Sequence, residues 1–129
     1  MKSVQDQFAE VLSTYSGASM STAPDGTLLV IVPGVIVPPG WSRQSTEVRF
    51  TIPAGYPYAV PDCFWTDGDL RLATGQIPQN AQPGQVTPAQ SDPSLLWFSW
   101  HITANTWNPA ASDLMTYVKV IRNRFEVAQ

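Results

Sequence analysis

Residues 46–65 read TEVRFTIPAGYPYAVPDCFW, and this segment decides the fold class. Polar and apolar residues alternate over its first seven positions, with Val48, Phe50 and Ile52 on one face. Alternation with a period of two is typical of a strand that buries one face. After the turn-forming PAGYP sequence, YAVPDCFW is a further strand candidate, but Pro61 has no N–H to donate to a sheet. We therefore expect pairing in that strand to begin after Pro61.

Two elements are predicted before this segment. Apolar residues recur at spacings of three and four behind a weak Ser3–Asp6 capping pattern, which predicts an amphipathic helix over residues ~3–16. Its apolar residues are Val4, Phe8, Val11, Leu12 and Tyr15. The β-branched runs at 28–32 and 35–37 are interrupted by Pro33-Gly34. They predict one strand with a bend.

The second half of the chain carries weaker signals. Residues 66–94 contain four prolines, three glycines and no periodicity, so we expect no regular core element there. Residues 95–100 restore apolar character and are predicted to be extended. Asn108 then has the character of an N-cap, with Pro109 at the first helical position. The helix that follows is predicted to pack through Leu114, Val118, Ile121 and Phe125.

The order of these elements predicts an α+β fold. An antiparallel β-meander of three or four strands would be covered by an N-terminal and a C-terminal helix. The length of 129 residues and the hydrophobic content of 43% fit one domain over residues 1–129 with one core.

Composition excludes several functional classes. The seven basic residues are scattered and the net charge is -3, so no nucleic-acid partner is expected. No stretch approaches the ~20 apolar residues that span a bilayer, and residues 1–19 lack a signal-peptide pattern, so no membrane partner and a cytoplasmic location are expected. One cysteine and one histidine are too few for a zinc site built from these residue types, so neither a metal nor a cofactor is predicted.

Three short motifs occur in an order that resembles the ubiquitin-conjugating enzymes. A strand is followed by Tyr56-Pro57 and then Pro61, and Trp107-Asn108-Pro109 opens a helix. In that family a Tyr-Pro-x-x-x-Pro segment enters the third strand, and a Trp-x-Pro follows the active site. The family's catalytic cysteine lies about eight residues before the tryptophan, which is the position of Ser99 in this chain. The resemblance implies the ubiquitin-conjugating (UBC-like) fold, with a serine in the place of the nucleophile.

The fuller pattern is similar to the prokaryotic conjugating-enzyme-like group called family E. It comprises Pro61-Asp62-Cys63-Phe64, Trp97-Phe98-Ser99-Trp100-His101, Trp107-x-Pro109 and Asp113-Leu114. The chain departs from the family at the missing cysteine. The family's His-Pro-Asn is also replaced, at a longer distance, by Pro78-Gln79-Asn80. The resemblance implies a minimal core without the two extra C-terminal helices of the larger eukaryotic enzymes.

The resemblance also implies a function and partners. The domain would accept a ubiquitin-like protein from an adenylating (activating) enzyme on Ser99 as an oxyester and pass it to a target protein. Resemblance to family E further implies a bacterial pathway that acts in antiphage defence and includes a metallopeptidase. The rival interpretation is a catalytically inactive UBC-like module that binds the ubiquitin-like protein or its activating enzyme. A third interpretation, an unrelated β-rich binding domain, requires every motif match to be accidental.

Ser99 needs a base because a hydroxyl is a weak nucleophile until its proton is removed. His101 is the chain's one histidine. In an extended segment, residues two apart project to the same face, with Cα atoms roughly 6–7 Å apart. His101 is therefore a candidate general base for Ser99. The alternative is that Ser99 is an ordinary serine and that His101 bonds to the backbone.

Four further residues are candidates for supporting roles. An ester needs strong stabilisation of the tetrahedral oxyanion, and Asn80, Asn105 and Asn108 are possible amide donors. Asn80 is favoured if the long loop folds back over Ser99, whereas turn or cap roles are the alternative for each asparagine. Asp113 matches an acidic position that in the family helps to orient or deprotonate the incoming amine, although helix capping explains it as well.

Cys63 is the rival nucleophile because thiolates outperform hydroxyls when their pKa is low. The adjacent Asp62 would oppose thiolate formation, and Phe64-Trp65 continue an apparent strand. We therefore expect Cys63 to be buried and structural.

Overall fold

The computed structural model describes residues 2–129 and shows two helices and a six-stranded sheet. The elements in chain order are α1 (Val4–Thr14), β1 (Ser19–Thr22), β2 (Leu28–Ile36), β3 (Ser45–Ile52), β4 (Phe64–Thr66), β5 (Ala81–Pro83), β6 (Leu96–Phe98) and α2 (Leu114–Phe125). The strands lie in the order β1-β2-β3-β4-β6-β5, and every neighbouring pair is antiparallel. The predicted α+β fold with an antiparallel meander is confirmed.

The central strands follow the hydrophobic pattern. In β3, alternate residues from Thr46 to Ile52 are buried, as the period of two predicts. The register of β2 against β3 shifts between Val32 and Val35, on either side of Pro33-Gly34. This irregularity is the bend that the sequence predicts, because proline removes one ladder hydrogen bond at that point.

The prediction of three or four strands was too low because β1 and β5 were missed. The sequence of β1, Ser-Met-Ser-Thr, has little apolar character, and this edge strand is held mainly by backbone pairing with β2. Residues 66–94 do contain a regular element, since β5 pairs with β6. The same segment contributes the fully buried Leu70 to the core, so its lack of periodicity did not mean lack of packing.

The start of the C-terminal helix differs from the prediction. Asn108 is not its N-cap: its side chain and carbonyl close a separate turn with the N–H groups of Ala110 and Ser112. Instead, Asp113 caps α2 through a capping box with Thr116, in which each side chain bonds the other residue's backbone N–H. A reciprocal pair satisfies two terminal N–H groups at once, which favours Asp113 over Asn108 as the cap.

Both helices cover the apolar face of the sheet. Ser3 caps α1 by accepting from the Asp6 N–H, as predicted. The predicted apolar face of α2 is confirmed, since Leu114, Val118, Ile121 and Phe125 are all fully buried. Neither helix in residues 2–129 has the length and apolar content that crossing a membrane requires.

Gln7 joins three parts of the fold at one buried side chain. Its amide oxygen accepts from the Tyr56 hydroxyl at 2.6 Å and from the Leu114 N–H at 3.2 Å, and its amide nitrogen donates to the Lys2 carbonyl. Burial, followed by the charge of Asp113, raises the pKa of Tyr56 to about 12, so this hydroxyl keeps its proton and donates. Gln7 thereby ties α1 to the start of α2 and to the turn after β3.

Replacing Gln7 with alanine should destabilise the protein by about 1–3 kcal/mol, because the buried Leu114 N–H and the Tyr56 hydroxyl lose their acceptor. The free energy of unfolding in urea measures this loss. Gln5→Ala is the matched control, since Gln5 is an exposed glutamine on the same helix. Equal effects of the two substitutions would show that Gln7 is not a junction.

Candidate functional site

The site is built around the turn that leads into β4. Cys63 has a φ of 63°, a left-handed conformation that costs a non-glycine residue of order 1–3 kcal/mol. Two contacts hold it there: its N–H donates to the Trp100 carbonyl at 3.0 Å, and its carbonyl accepts from the Tyr117 hydroxyl at 2.8 Å. Burial raises the pKa of Tyr117, so its hydroxyl remains a donor. The backbone on both sides of the site is therefore fixed by α2 and by the segment after β6.

His101 forms a pair with Asp62. The imidazole Nδ1 lies 2.5 Å from the Asp62 carboxylate Oδ1, and both side chains are more than half exposed, at 65% and 55%. A carboxylate that accepts from Nδ1–H orients the ring and selects the neutral tautomer in which Nε2 is the acceptor. Sequence reasoning missed Asp62 as a partner of His101. Antiparallel pairing of β4 with β6 brings Asp62 and His101 together, so a correct prediction of this strand pair would have identified the contact.

Ser99 lies beside the same turn. It is half-buried, its N–H donates to the Asn80 carbonyl at 2.7 Å, and its hydroxyl acts on the nearby Cys63 thiol by lowering the thiol's pKa. One side-chain ligand atom each of Asp62, Cys63 and His101 lies within 4.8 Å of the others. Cys63 thus contacts Ser99 on one side and approaches the Asp62–His101 pair on the other.

The expectation that Cys63 is buried within a strand is wrong. It is half-buried and precedes β4, because its positive φ turns the chain before pairing begins. Burial raises the pKa of the Cys63 thiol, and the charge of Asp62 adds to the rise. Hydrogen bonds from the Trp100 segment and the Ser99 side chain oppose it. The thiol is therefore held in its protonated, less nucleophilic form.

Asn80 and Asn105, two of the candidate oxyanion donors, lie in different loops. The Asn80 carbonyl accepts from the Ser99 N–H, so the long loop does return to Ser99. Asn80 is exposed and has a φ of 63°, a conformation that asparagine adopts more readily than most residues. Asn105 is exposed in the turn closed by Thr103 and Thr106 and also has a positive φ, which is the geometry of a turn residue.

Asp113 bonds to Thr116 and lines a surface cavity of its own. Its carboxylate accepts from the Thr116 N–H at 2.9 Å and from the Thr116 hydroxyl at 3.0 Å. It lines a surface cavity together with Lys2, Asp6 and Gln7, on the α1 side of α2. The structure therefore shows the capping role, and the cavity that Asp113 lines is not the one that His101 lines.

A groove of about 370 Å³ is lined by His101 and by residues of α2. Its apolar wall includes Ile102, Trp107 and Val120. On the α2 side it is also lined by two basic residues, Lys119 and the buried Arg124. Of the described residues that line the groove, none is acidic.

The motifs that suggested a family meet in space. The Trp107 indole N–H donates to the Pro57 carbonyl at 2.9 Å, and the rings of Tyr56 and Trp107 lie 6.0 Å apart at a tilt. The Tyr-Pro turn and the Trp-x-Pro segment therefore brace each other next to the site, although 50 residues separate their hydrogen-bonding partners.

The chain matches no curated protein and no solved structure. It does match prokaryotic E2 family E over residues 5–128, a span that includes every site residue described above. This match is independent of the geometry, and it agrees with the antiparallel sheet flanked by two helices. The chain therefore belongs to prokaryotic E2 family E and is a ubiquitin-conjugating-enzyme-like protein.

Proposed function

We propose that this domain is an acyl carrier in a bacterial ubiquitin-like conjugation pathway that serves antiphage defence. An adenylating enzyme would deliver the activated C-terminus of a ubiquitin-like protein to Ser99, and the resulting oxyester would be passed to a target protein. The observation that supports this best is the Asp62–His101 pair beside the turn that contacts Ser99. Family membership supports the reaction class and the two kinds of partner, and the residue roles are our proposal.

The acyl-transfer step uses three side chains. Ser99 Oγ attacks the C-terminal carbonyl carbon of the ubiquitin-like protein, and the bond from that carbon to its activating group breaks. His101 takes the Ser99 proton and returns it to the leaving group, while Asp62 holds the ring and stabilises the imidazolium. In the second step, a target amine or hydroxyl attacks the ester, and the proton it loses returns to Ser99 by the same route.

Asn80 is the favoured donor to the oxyanion because its segment lies against the Ser99 backbone. An amide that donates to the tetrahedral intermediate is typically worth a factor of ~10²–10³ in rate. Asn105, in its surface turn, is the weaker candidate. Its side chain would have to reach the site from the segment beyond His101.

Ser99 is a better assignment than Cys63 for two reasons. The Cys63 pKa is raised by burial and by Asp62, which keeps the thiol protonated. Ser99 also occupies the family's nucleophile position, eight residues before Trp107. The same cluster nevertheless contains both groups, so the test must distinguish an ester from a thioester.

Incubation with the adenylating enzyme, ATP and the ubiquitin-like protein should give a covalent adduct on Ser99. The adduct should resist thiol reductant and be cleaved by hydroxylamine or mild base, because an ester, unlike an amide, is cleaved by these nucleophiles. Ser99→Ala should abolish it, Ser99→Cys should make it reductant-sensitive, and Ser91→Ala, at an exposed serine, should change nothing. Mass spectrometry identifies the modified residue.

Other outcomes of that experiment have defined meanings. A reductant-sensitive adduct in wild type that disappears in Cys63→Ala would move the nucleophile to Cys63. Absence of any adduct, together with retained binding of the ubiquitin-like protein, would identify the domain as an inactive binding module.

His101→Ala should slow adduct formation by ~10²-fold or more, because Ser99 loses its base. Asp62→Asn should slow it by ~10-fold or more, because an amide no longer stabilises the imidazolium. Single-turnover kinetics with a saturating charged adenylating enzyme measures both rates. Asp69→Asn is the matched control, since Asp69 is an exposed aspartate that pairs with Arg43. A normal rate in His101→Ala would exclude histidine as the base.

Asp113→Asn should leave both stability and transfer unchanged, because asparagine caps a helix about as well as aspartate. Asp113→Ala should cost about 1 kcal/mol of unfolding free energy through loss of the cap. Urea denaturation and target-transfer assays measure the two effects. If Asp113→Asn folds normally yet transfers the modifier at least ~10-fold more slowly, the carboxylate orients or deprotonates the incoming amine.

A further inference from the structure

The geometry points to a regulatory site for a zinc-type transition-metal ion formed by Asp62, Cys63 and His101. A metal bound there would inhibit the acyl-transfer reaction. The binding half of this inference stands on the geometry alone. The inhibitory half rests on the proposed function of Ser99 and His101.

The donor set is chemically suited to such an ion. Thiolate, imidazole and carboxylate are the three classes of side chain that bind zinc, at about 2.3, 2.0–2.1 and 2.0–2.2 Å, and three protein ligands plus water is the usual set of an open zinc site. The donor atoms lie within 4.8 Å of one another. Tetrahedral ligands are roughly 3.3–3.8 Å apart at those bond lengths, so modest rotation brings the three together.

The sequence prediction of no metal counted only cysteine and histidine, and the structure adds the carboxylate. Asp62 and Cys63 are adjacent in the chain, whereas His101 comes from the segment after β6. Antiparallel pairing of β4 with β6 brings these two segments together. Zinc affinity depends on such convergence, because a preformed site does not lose chain entropy on binding.

The Cys63 backbone has a conformation that the acyl-transfer mechanism does not explain. A positive φ at a non-glycine residue is uncommon, and it persists where the surroundings hold it in place. Here the Trp100 carbonyl and the Tyr117 hydroxyl hold the two peptide groups that flank the Cα atom. This arrangement places the thiol beside the Asp62–His101 pair, and a metal ligand is a role that uses the thiol there.

The other two ligands are free to adjust. The His101 and Asp62 side chains are 65% and 55% exposed, so their hydrogen bond can open and both donors can turn toward a metal without disturbing the core. Solvent can reach the fourth coordination position. A neutral imidazole that binds a metal through one nitrogen carries its proton on the other, so His101 then has no free nitrogen to take the Ser99 proton, and transfer stops.

Cobalt(II) titration of tag-free protein tests binding independently of activity. Wild type should show a thiolate-to-cobalt charge-transfer band together with visible d–d bands of tetrahedral intensity. Cys63→Ala should lose the charge-transfer band. Competition with zinc should show that Asp62→Asn and His101→Ala each weaken binding by ~10-fold or more, whereas Asp69→Asn does not. Absence of the band in wild type, or equal zinc affinity in all these proteins, overturns the inference.

Zinc inhibition of adduct formation tests the regulatory half. Zinc at a concentration that saturates the site should suppress the wild-type adduct, and a chelator should restore it. Cys63→Ala lacks one ligand, so the zinc concentration that halves its rate, measured against this variant's own rate without zinc, should exceed that of wild type by ~10-fold or more. Both proteins receive the modifier from the same adenylating enzyme, so any effect of zinc on that enzyme is equal in the two assays and cancels in their comparison. Equal inhibition of the two proteins overturns regulation through this site.

The two proposals fail in different ways. A cobalt spectrum without any adduct would leave the metal site standing and remove the Ser99 carrier function. An adduct on Ser99 without a cobalt spectrum would do the reverse.

Discussion

The pairing of β4 with β6 fixes the position of the site. Phe64 stands opposite Phe98, and their buried rings stack with centroids 4.8 Å apart. A shift of one residue would turn these rings to the other face of the sheet and expose them. Next to this pair, the Cys63 N–H donates to the Trp100 carbonyl, which holds the Cys63 turn against the segment that carries Ser99 and His101. The hydrophobic core thereby sets the spacing of the polar groups above it.

Arg124 connects the loop before β5 to this core. Its guanidinium group is buried, donates to the Gln79 carbonyl at 3.0 Å, and lies over three aromatic rings, those of Trp41, Phe98 and Trp100. Burial lowers its pKa, and carbonyl acceptors and ring faces offset the cost of desolvating the charge. Because Gln79 precedes Asn80, the same contact holds the segment that bonds to the Ser99 backbone. Arg124 of α2 thus holds the backbone next to Asn80, the candidate oxyanion donor.

Hydrophobic periodicity predicted the parts of the fold that bury a regular face: α1, β2, β3 and the packed side of α2. It could not predict β1 and β5, because their pairing depends on backbone groups that every sequence possesses. It misplaced the start of α2 because two capping residues compete there, and the choice of Asp113 depends on its contact with Thr116. The sequence predicts an extended segment over residues 95–100; β6 covers Leu96–Phe98 of it, and Ser99 and His101 lie beyond its end. The Asp62–His101 pair required knowing which strands are neighbours, and that information lies in long-range packing.

The exposure of the Asp62–His101 pair has a consequence for when the site can act. An ion pair in high dielectric contributes little, of order 0–1 kcal/mol, and water competes for both groups. A partner chain lying in the groove along α2 would displace that water at His101 and strengthen each electrostatic interaction in the cluster. The groove contains Lys119 and no acidic lining residue, so it attracts a chain that carries negative charge near its end. In the proposed mechanism, proton transfer between Ser99 and His101 is then fastest while the modifier is bound.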